Sequence, residues 1–214
     1  MKINIQKTAK VETYGKPDTA KCCWVVLHGY GQLVDYFIRK FSVLDEQNHY
    51  IIAPEGFHRF YLNGTSGRVG ASWMTKEERL DDIADNIAYL NQVYSELIAD
   101  HSFEHLIVLG FSQGASTAAR WIQMGDINPT VFVQWAGVFP PDLELNSSSN
   151  RFKQMKNFVL VGDTDPYFNL DNESDLFSQQ TALGIEQTSI RFNGAHAIYD
   201  EPLLELANRI IEGE

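Results

Sequence analysis

The sequence predicts a three-layer α/β domain around a mostly parallel sheet, and three observations carry that expectation. Short apolar runs alternate with longer helix-compatible stretches along the chain. The central runs are nearly continuous in apolar residues, as strands covered on both faces are. The 214 residues, 44% of them hydrophobic, are enough for one well-buried core. No repeat or linker divides them, so residues 1–214 are read as a single domain.

Taken in order, the stretch through Glu12 offers one or two outer strands. Strands are expected at 22–29 (CCWVVLHG), 50–56 (YIIAPEG), 105–112 (HLIVLGFS), 130–137 (TVFVQWAG), 158–163 (FVLVGD) and 186–192 (EQTSIRF). A helix over 32–47 would put Phe37, Phe41 and Leu44 into the core. The strongest periodicity spans 76–100, with Leu80, Ile83, Ile87, Leu90, Tyr94 and Leu97 at spacings of three and four. Thr75 followed by Glu78 fits a capping box at its start. Further helices are expected over 113–124, 171–183 and 201–211, where Pro202 suits a first turn. The glycine-rich, polar stretch 58–73 reads as a long surface loop and 140–150 as a second one. Neither is long enough for a substantial cap.

Charge and composition exclude several classes of function. A formal net charge of −11 disfavours nucleic acid as a partner. No run of 18 apolar residues could span a membrane, and the first residues lack the apolar core of a signal peptide. A cytoplasmic location is the resulting expectation. Cys22 and Cys23 are adjacent in a strand-like run, a geometry that disfavours a disulfide between them. They read as buried thiols in a reducing compartment.

The chemistry begins at Gly110-Phe111-Ser112-Gln113-Gly114, which closes a strand and opens a helix. The glycines suit a tight turn where side chains would collide with the neighbouring strand and helix. Such a turn lifts the serine hydroxyl above the sheet edge and aims the first helical amides at whatever it attacks. A serine hydroxyl is a weak nucleophile until a base takes its proton. His196, in a glycine-containing turn after the last expected strand, is the only histidine downstream of Ser112. Chain order serine, acid, histidine makes it the expected base. Asp163 and Asp165 both follow the preceding strand and both remain candidates for the orienting acid. Asp165 is preferred because it lies farther into the loop. Oxyanion donors are expected from the amides of Gln113, next to the serine, and of Tyr30, in the glycine-flanked loop after the first buried strand. His28, at the start of that loop, reads as a hydrogen-bonding support rather than a base.

LHGYG, APEG…YLNG…SW, GFSQG, VGDTDPYF and NGAHAI, in this order and spacing, resemble the phospholipase/carboxylesterase family of small α/β-hydrolases, which includes acyl-protein thioesterases and bacterial carboxylesterases. The resemblance covers the chain from about Cys22 to its end. It implies an α/β-hydrolase fold, with Ser112 as nucleophile, Asp165 as acid, His196 as base and Tyr30 and Gln113 as oxyanion donors. Trp73 matches an aromatic residue near the acyl site, or is an ordinary packed indole. The chain departs from the family pattern at Ala115, at Gln32 in HGYGQ and at Pro166-Tyr167-Phe168-Asn169. These changes touch the substrate pocket more than the triad.

The expected activity is hydrolysis of carboxylic esters through an acyl-enzyme, extending to thioesters or lysophospholipids. The ligand is then a small ester or thioester, with no metal or organic cofactor needed. A peptidase, an acyltransferase or a non-catalytic binding module on the same fold are the alternatives. The missing cap suits short acyl chains or accessible esters. Nothing in the sequence sets the oligomeric state, and a dimer is compatible with it.

Overall fold

The computed structural model describes residues 1–3, 5–145, 150–168 and 180–213. A seven-stranded sheet forms its middle layer. The strands are β1 (Val11–Tyr14), β2 (Cys22–Leu27), β3 (His49–Pro54), β6 (His105–Phe111), β7 (Val131–Trp135), β8 (Lys156–Gly162) and β9 (Thr188–Phe192). Their spatial order is β1-β3-β2-β6-β7-β8-β9. Only the edge strand β1 runs antiparallel to its neighbour, and the other six are parallel.

Strand alternation sorts the core into two layers. Cys22, Trp24 and Val26 face one side with Ile107, Leu109 and Phe111. Cys23, Val25 and Leu27 face the other with Val108. The first side is covered by α1 (Val34–Phe37), the 3₁₀ turn Ile38–Phe41 and α4 (Asp200–Glu212), which contributes Leu203, Leu206 and Ile210. The second is covered by α2 (Arg79–Leu97) and α3 (Gln113–Met124), through Leu90, Val93, Ala118, Trp121 and Ile122. A strand buried on both faces has no polar positions, which is why these runs read as continuous apolar sequence. Cys22 and Cys23 are free, buried thiols on opposite faces.

Three expectations need correction. The stretch 58–73 is not a loop: β4 (His58–Asn63) and β5 (Ser66–Ser72) form an antiparallel hairpin. Its signal was Asn63-Gly64, a hairpin-turn dipeptide, and Gly64 takes φ +66°. Most of β4 is exposed, so no burial pattern marks it as a strand. The helix expected over 32–47 stops after two short turns. Beyond it the Asp45 carboxylate accepts hydrogen bonds from the Gln47 N–H at 3.0 Å and the Asn48 amide at 2.7 Å, a local turn that competes with helix. Phe37, Phe41 and Leu44 are nonetheless buried. Finally, α2 has no capping box. Glu78 sits at φ +50°, and the Thr75 hydroxyl accepts from the Glu77 N–H at 3.2 Å instead. The buried face of α2 includes Ile83, Asn86 and Leu90, while Leu80 points to solvent.

The outer strand expected before Glu12 is β1, displaced to Val11–Tyr14. The helices over 113–124 and 201–211 match α3 and α4 closely. The expected helix over 171–183 falls largely outside the described residues, as does part of 140–150. Among the described residues no large cap lies over the sheet.

Candidate active site

Ser112 stands between β6 and α3 with φ +53° and ψ −118°, a conformation that costs a non-glycine residue free energy. Packing holds it there. The Ser112 N–H donates to the Trp135 carbonyl at 2.9 Å, and its carbonyl accepts from the Ala115 N–H at 3.0 Å. The glycines on either side are sites of close approach. A Cβ on Gly110 would lie 2.3 Å from Ala115 Cα, and one on Gly114 would lie 2.2 Å from the Leu27 carbonyl oxygen. The helix can therefore start directly over β2 and β6 only because both positions lack a side chain.

His196 reaches the serine from the loop between β9 and α4. Its Nε2 is 3.0 Å from Ser112 Oγ, and its Nδ1 is 2.7 Å from Asp165 Oδ2. A carboxylate can only accept, so Nδ1 donates and Nε2 is left to accept the serine proton. The loops carrying the acid and the histidine are tied together. The Asp163 N–H donates to the Phe192 carbonyl at 2.9 Å and the Thr164 N–H to the Gly194 carbonyl at 3.0 Å. Trp135 Nε1 donates to the Ala197 carbonyl, and the Ala195 N–H to the Tyr199 hydroxyl, each at 3.0 Å.

The two aspartates left open by sequence differ sharply in place. The Asp165 side chain is fully buried, and its second oxygen accepts the Tyr167 N–H at 2.9 Å. Asp163 is half exposed and faces Arg191 Nε at 3.5 Å. Only Asp165 contacts the imidazole.

The loop after β2 supplies the opposite wall. Within residues 29–32, the Gly29 N–H donates to Gln32 Oε1 (2.8 Å), the Gly31 N–H to the Ala71 carbonyl (2.8 Å) and the Gln32 N–H to the Gly29 carbonyl (3.2 Å). Among the described residues, the Tyr30 N–H is the one of these four with no protein acceptor. The Gln113 N–H, first in α3, likewise lies outside the helix's own ladder. His28 beneath the loop spends both ring nitrogens on backbone. Nδ1 donates to the Gly29 carbonyl at 2.8 Å, and Nε2 accepts the Gly56 N–H at 2.9 Å. Burial pushes its pKa down, so the ring stays neutral.

Trp73 is placed differently from the other predicted site residues. Its indole has no exposed surface, stacks near His28 and donates from Nε1 to the His28 carbonyl at 2.8 Å. It supports the loop from behind, and offers no surface to a substrate. Two side-chain roles missed by sequence support the same region. The Gln113 side chain accepts from the Ser72 hydroxyl and the Trp73 N–H, each at 3.1 Å, and donates to the Met74 carbonyl at 2.8 Å. Gln32 pairs with Ala71 of the hairpin and also holds the Gly29 amide. No motif signals these long-range side-chain contacts. Among the described residues no cluster of three or more His, Cys, Asp or Glu side chains could hold a metal ion. No helix there is long and apolar enough to cross a membrane.

The family model described as Phospholipase/Carboxylesterase matches residues 7–211. No curated protein matches the chain significantly. Solved structures do. An acyl-protein thioesterase 2 from Zea mays is 19% identical, with 96% of this chain and 99% of that chain covered and a TM-score of 0.75. A carboxylesterase from Mesorhizobium loti is 15% identical, with 96% and 95% covered and a TM-score of 0.73. The Bacillus cereus carboxylesterase is 16% identical, with 94% of each chain covered and a TM-score of 0.68. At such identities the likeness speaks for the fold, a three-layer α/β-hydrolase fold with a mostly parallel sheet.

Proposed function

We propose that this chain, which belongs to the phospholipase/carboxylesterase family, is a serine hydrolase that cleaves carboxylic esters through an acyl-enzyme. The observation that carries the reading is the continuous contact from Asp165 to His196 at 2.7 Å and from His196 to Ser112 at 3.0 Å. On this reading Ser112 is the nucleophile, His196 the general base and then acid, and Asp165 the group that fixes the imidazole tautomer.

Ser112 Oγ attacks the acyl carbon while its proton passes to His196 Nε2. The carbonyl oxygen becomes an oxyanion, and the N–H groups of Tyr30 and Gln113 donate to it. The C–O bond to the leaving group then breaks, and His196 returns the proton to the departing oxygen. Water, deprotonated by the same Nε2, releases the acid and restores Ser112. Thioesters fit the same sequence of steps with sulfur as the leaving atom, and lysophospholipids fit it as oxygen esters.

A fluorophosphonate probe tests the assignment. The wild-type protein is expected to be labelled and to hydrolyse p-nitrophenyl esters from acetate to palmitate. Ser112→Ala should abolish labelling and lower turnover on the order of 10⁴–10⁶-fold. Undiminished hydrolysis by the folded variant would sink the proposal.

A further inference from the structure

We infer that Tyr167 forms the wall of the leaving-group subsite, and that it selects esters whose alcohol carries a flat aromatic ring. The inference rests on the serine-hydrolase reading and adds a substrate class to it.

The position of the leaving group follows from the proton it must receive. When the C–O bond breaks, the electron pair stays on the departing oxygen, which takes its proton from His196 Nε2. That oxygen therefore sits beside the imidazole, away from the Tyr30 and Gln113 amides that hold the oxyanion. Among the described residues, two aromatic rings flank the imidazole. Phe111 lies 5.0 Å away between centroids, and Tyr167 lies 4.6 Å away, edge to face. Phe111 is buried, whereas Tyr167 is 76% exposed. Of the two, only Tyr167 presents a ring to an incoming molecule.

That ring is held in place. Pro166 precedes it, the Tyr167 N–H donates to Asp165 Oδ1 at 2.9 Å, and the ring packs against the imidazole with 61° between the two planes. A tyrosine so anchored loses little freedom when a ligand stacks on it, and aromatic pairs gain more than their buried area alone.

The test compares two esters of the acyl group that the wild type turns over fastest: the benzyl ester and the cyclohexylmethyl ester. Their alcohols are similar in size, and only one is aromatic. The kcat/KM ratio of benzyl to cyclohexylmethyl should fall roughly 3–10-fold in Tyr167→Ala and in Tyr167→Leu, and hold in Tyr167→Phe. An unchanged ratio in active variants overturns the role of Tyr167 and leaves the hydrolase reading standing. An equal loss on both esters with a shifted pH–rate profile makes the ring a shield for the imidazole, and also overturns it. A wild type that cleaves no ester and takes no fluorophosphonate at Ser112 overturns the hydrolase reading itself.

Discussion

The side-chain oxygen of Gln113 accepts the backbone N–H of Trp73 at 3.1 Å. One residue thus presents its own amide at the start of α3 and, through its side chain, holds the end of the hairpin against that helix. Gln113→Ala keeps the amide and removes the anchor. It leaves the Trp73 N–H without its acceptor, at a cost of about 1–3 kcal/mol, while the Met74 carbonyl keeps only the Ser72 hydroxyl as donor. A lower urea midpoint together with reduced kcat is expected. A variant with full stability and full turnover would show that the anchor is dispensable.

Asp165→Asn removes the acceptor that fixes the His196 tautomer, and kcat should fall by about 10⁴-fold. Asp163→Asn loses only an exposed contact with Arg191, so kcat should stay within about twofold. Steady-state rates of the two purified variants decide the matter. A larger loss at position 163 would reverse the assignment.

Gly114→Ala would drive a methyl group to 2.2 Å from the Leu27 carbonyl oxygen, which is backbone and cannot swing aside. The variant should unfold at lower urea by about 1–3 kcal/mol and react slowly with fluorophosphonate, because the helix must lift away from β2. Gly64→Ala, at a hairpin tip where nothing lies within 4 Å, should cost only the positive φ, about 1–2 kcal/mol, and leave labelling intact.

Asp142 bridges α2 and α3, accepting from Arg79 and from Arg120 at 2.7 Å each. Burial pushes its carboxyl up, but the two arginine hydrogen bonds outweigh that and hold it at about 2. An unfolded aspartate titrates near about 3.9. The folded value is the lower one, so the bridge stabilises the protein fully above about pH 4 and loses that effect as pH falls toward about 2. Asp142→Asn should therefore unfold at lower urea than wild type at neutral pH, with the gap closing between about pH 4 and 2. A gap that is constant with pH would refute the linkage.

The parallel strands were legible because burial on both faces leaves unbroken apolar runs such as Cys22–Leu27. Ser112 and His196 could be singled out as candidates because turns, glycines and chain order are local properties, and the fold brings their side chains to 3.0 Å. Position in the loop favoured Asp165 over Asp163 without deciding between them, since the choice depends on which carboxylate turns inward, and it is Asp165 that meets His196. Trp73 shows the same limit: an aromatic beside a motif looks alike in sequence whether it lines a site or packs behind one. The hairpin was hidden because β4 exposes almost every residue, and with burial absent only Asn63-Gly64 marked the turn. Leu80 fitted the periodicity of α2 but lies in its first turn, beyond the edge of the core it would have joined.

The hairpin is welded at its root and free at its end. Gly70 lies so close to Gly31 that a Cβ there would sit 2.4 Å from the Gly31 carbonyl oxygen, and Gln32 pairs with Ala71 beside it. At the tip, added Cβ atoms on Gly64 and Gly67 would meet nothing within 4 Å. A graft at Gly64-Thr65 could therefore lengthen the arm, or carry a new recognition segment, while the tethered root keeps the Tyr30 loop in register with Ser112. The molecule holds a ready insertion point in which reach can change over evolutionary time independently of the chemistry beneath it.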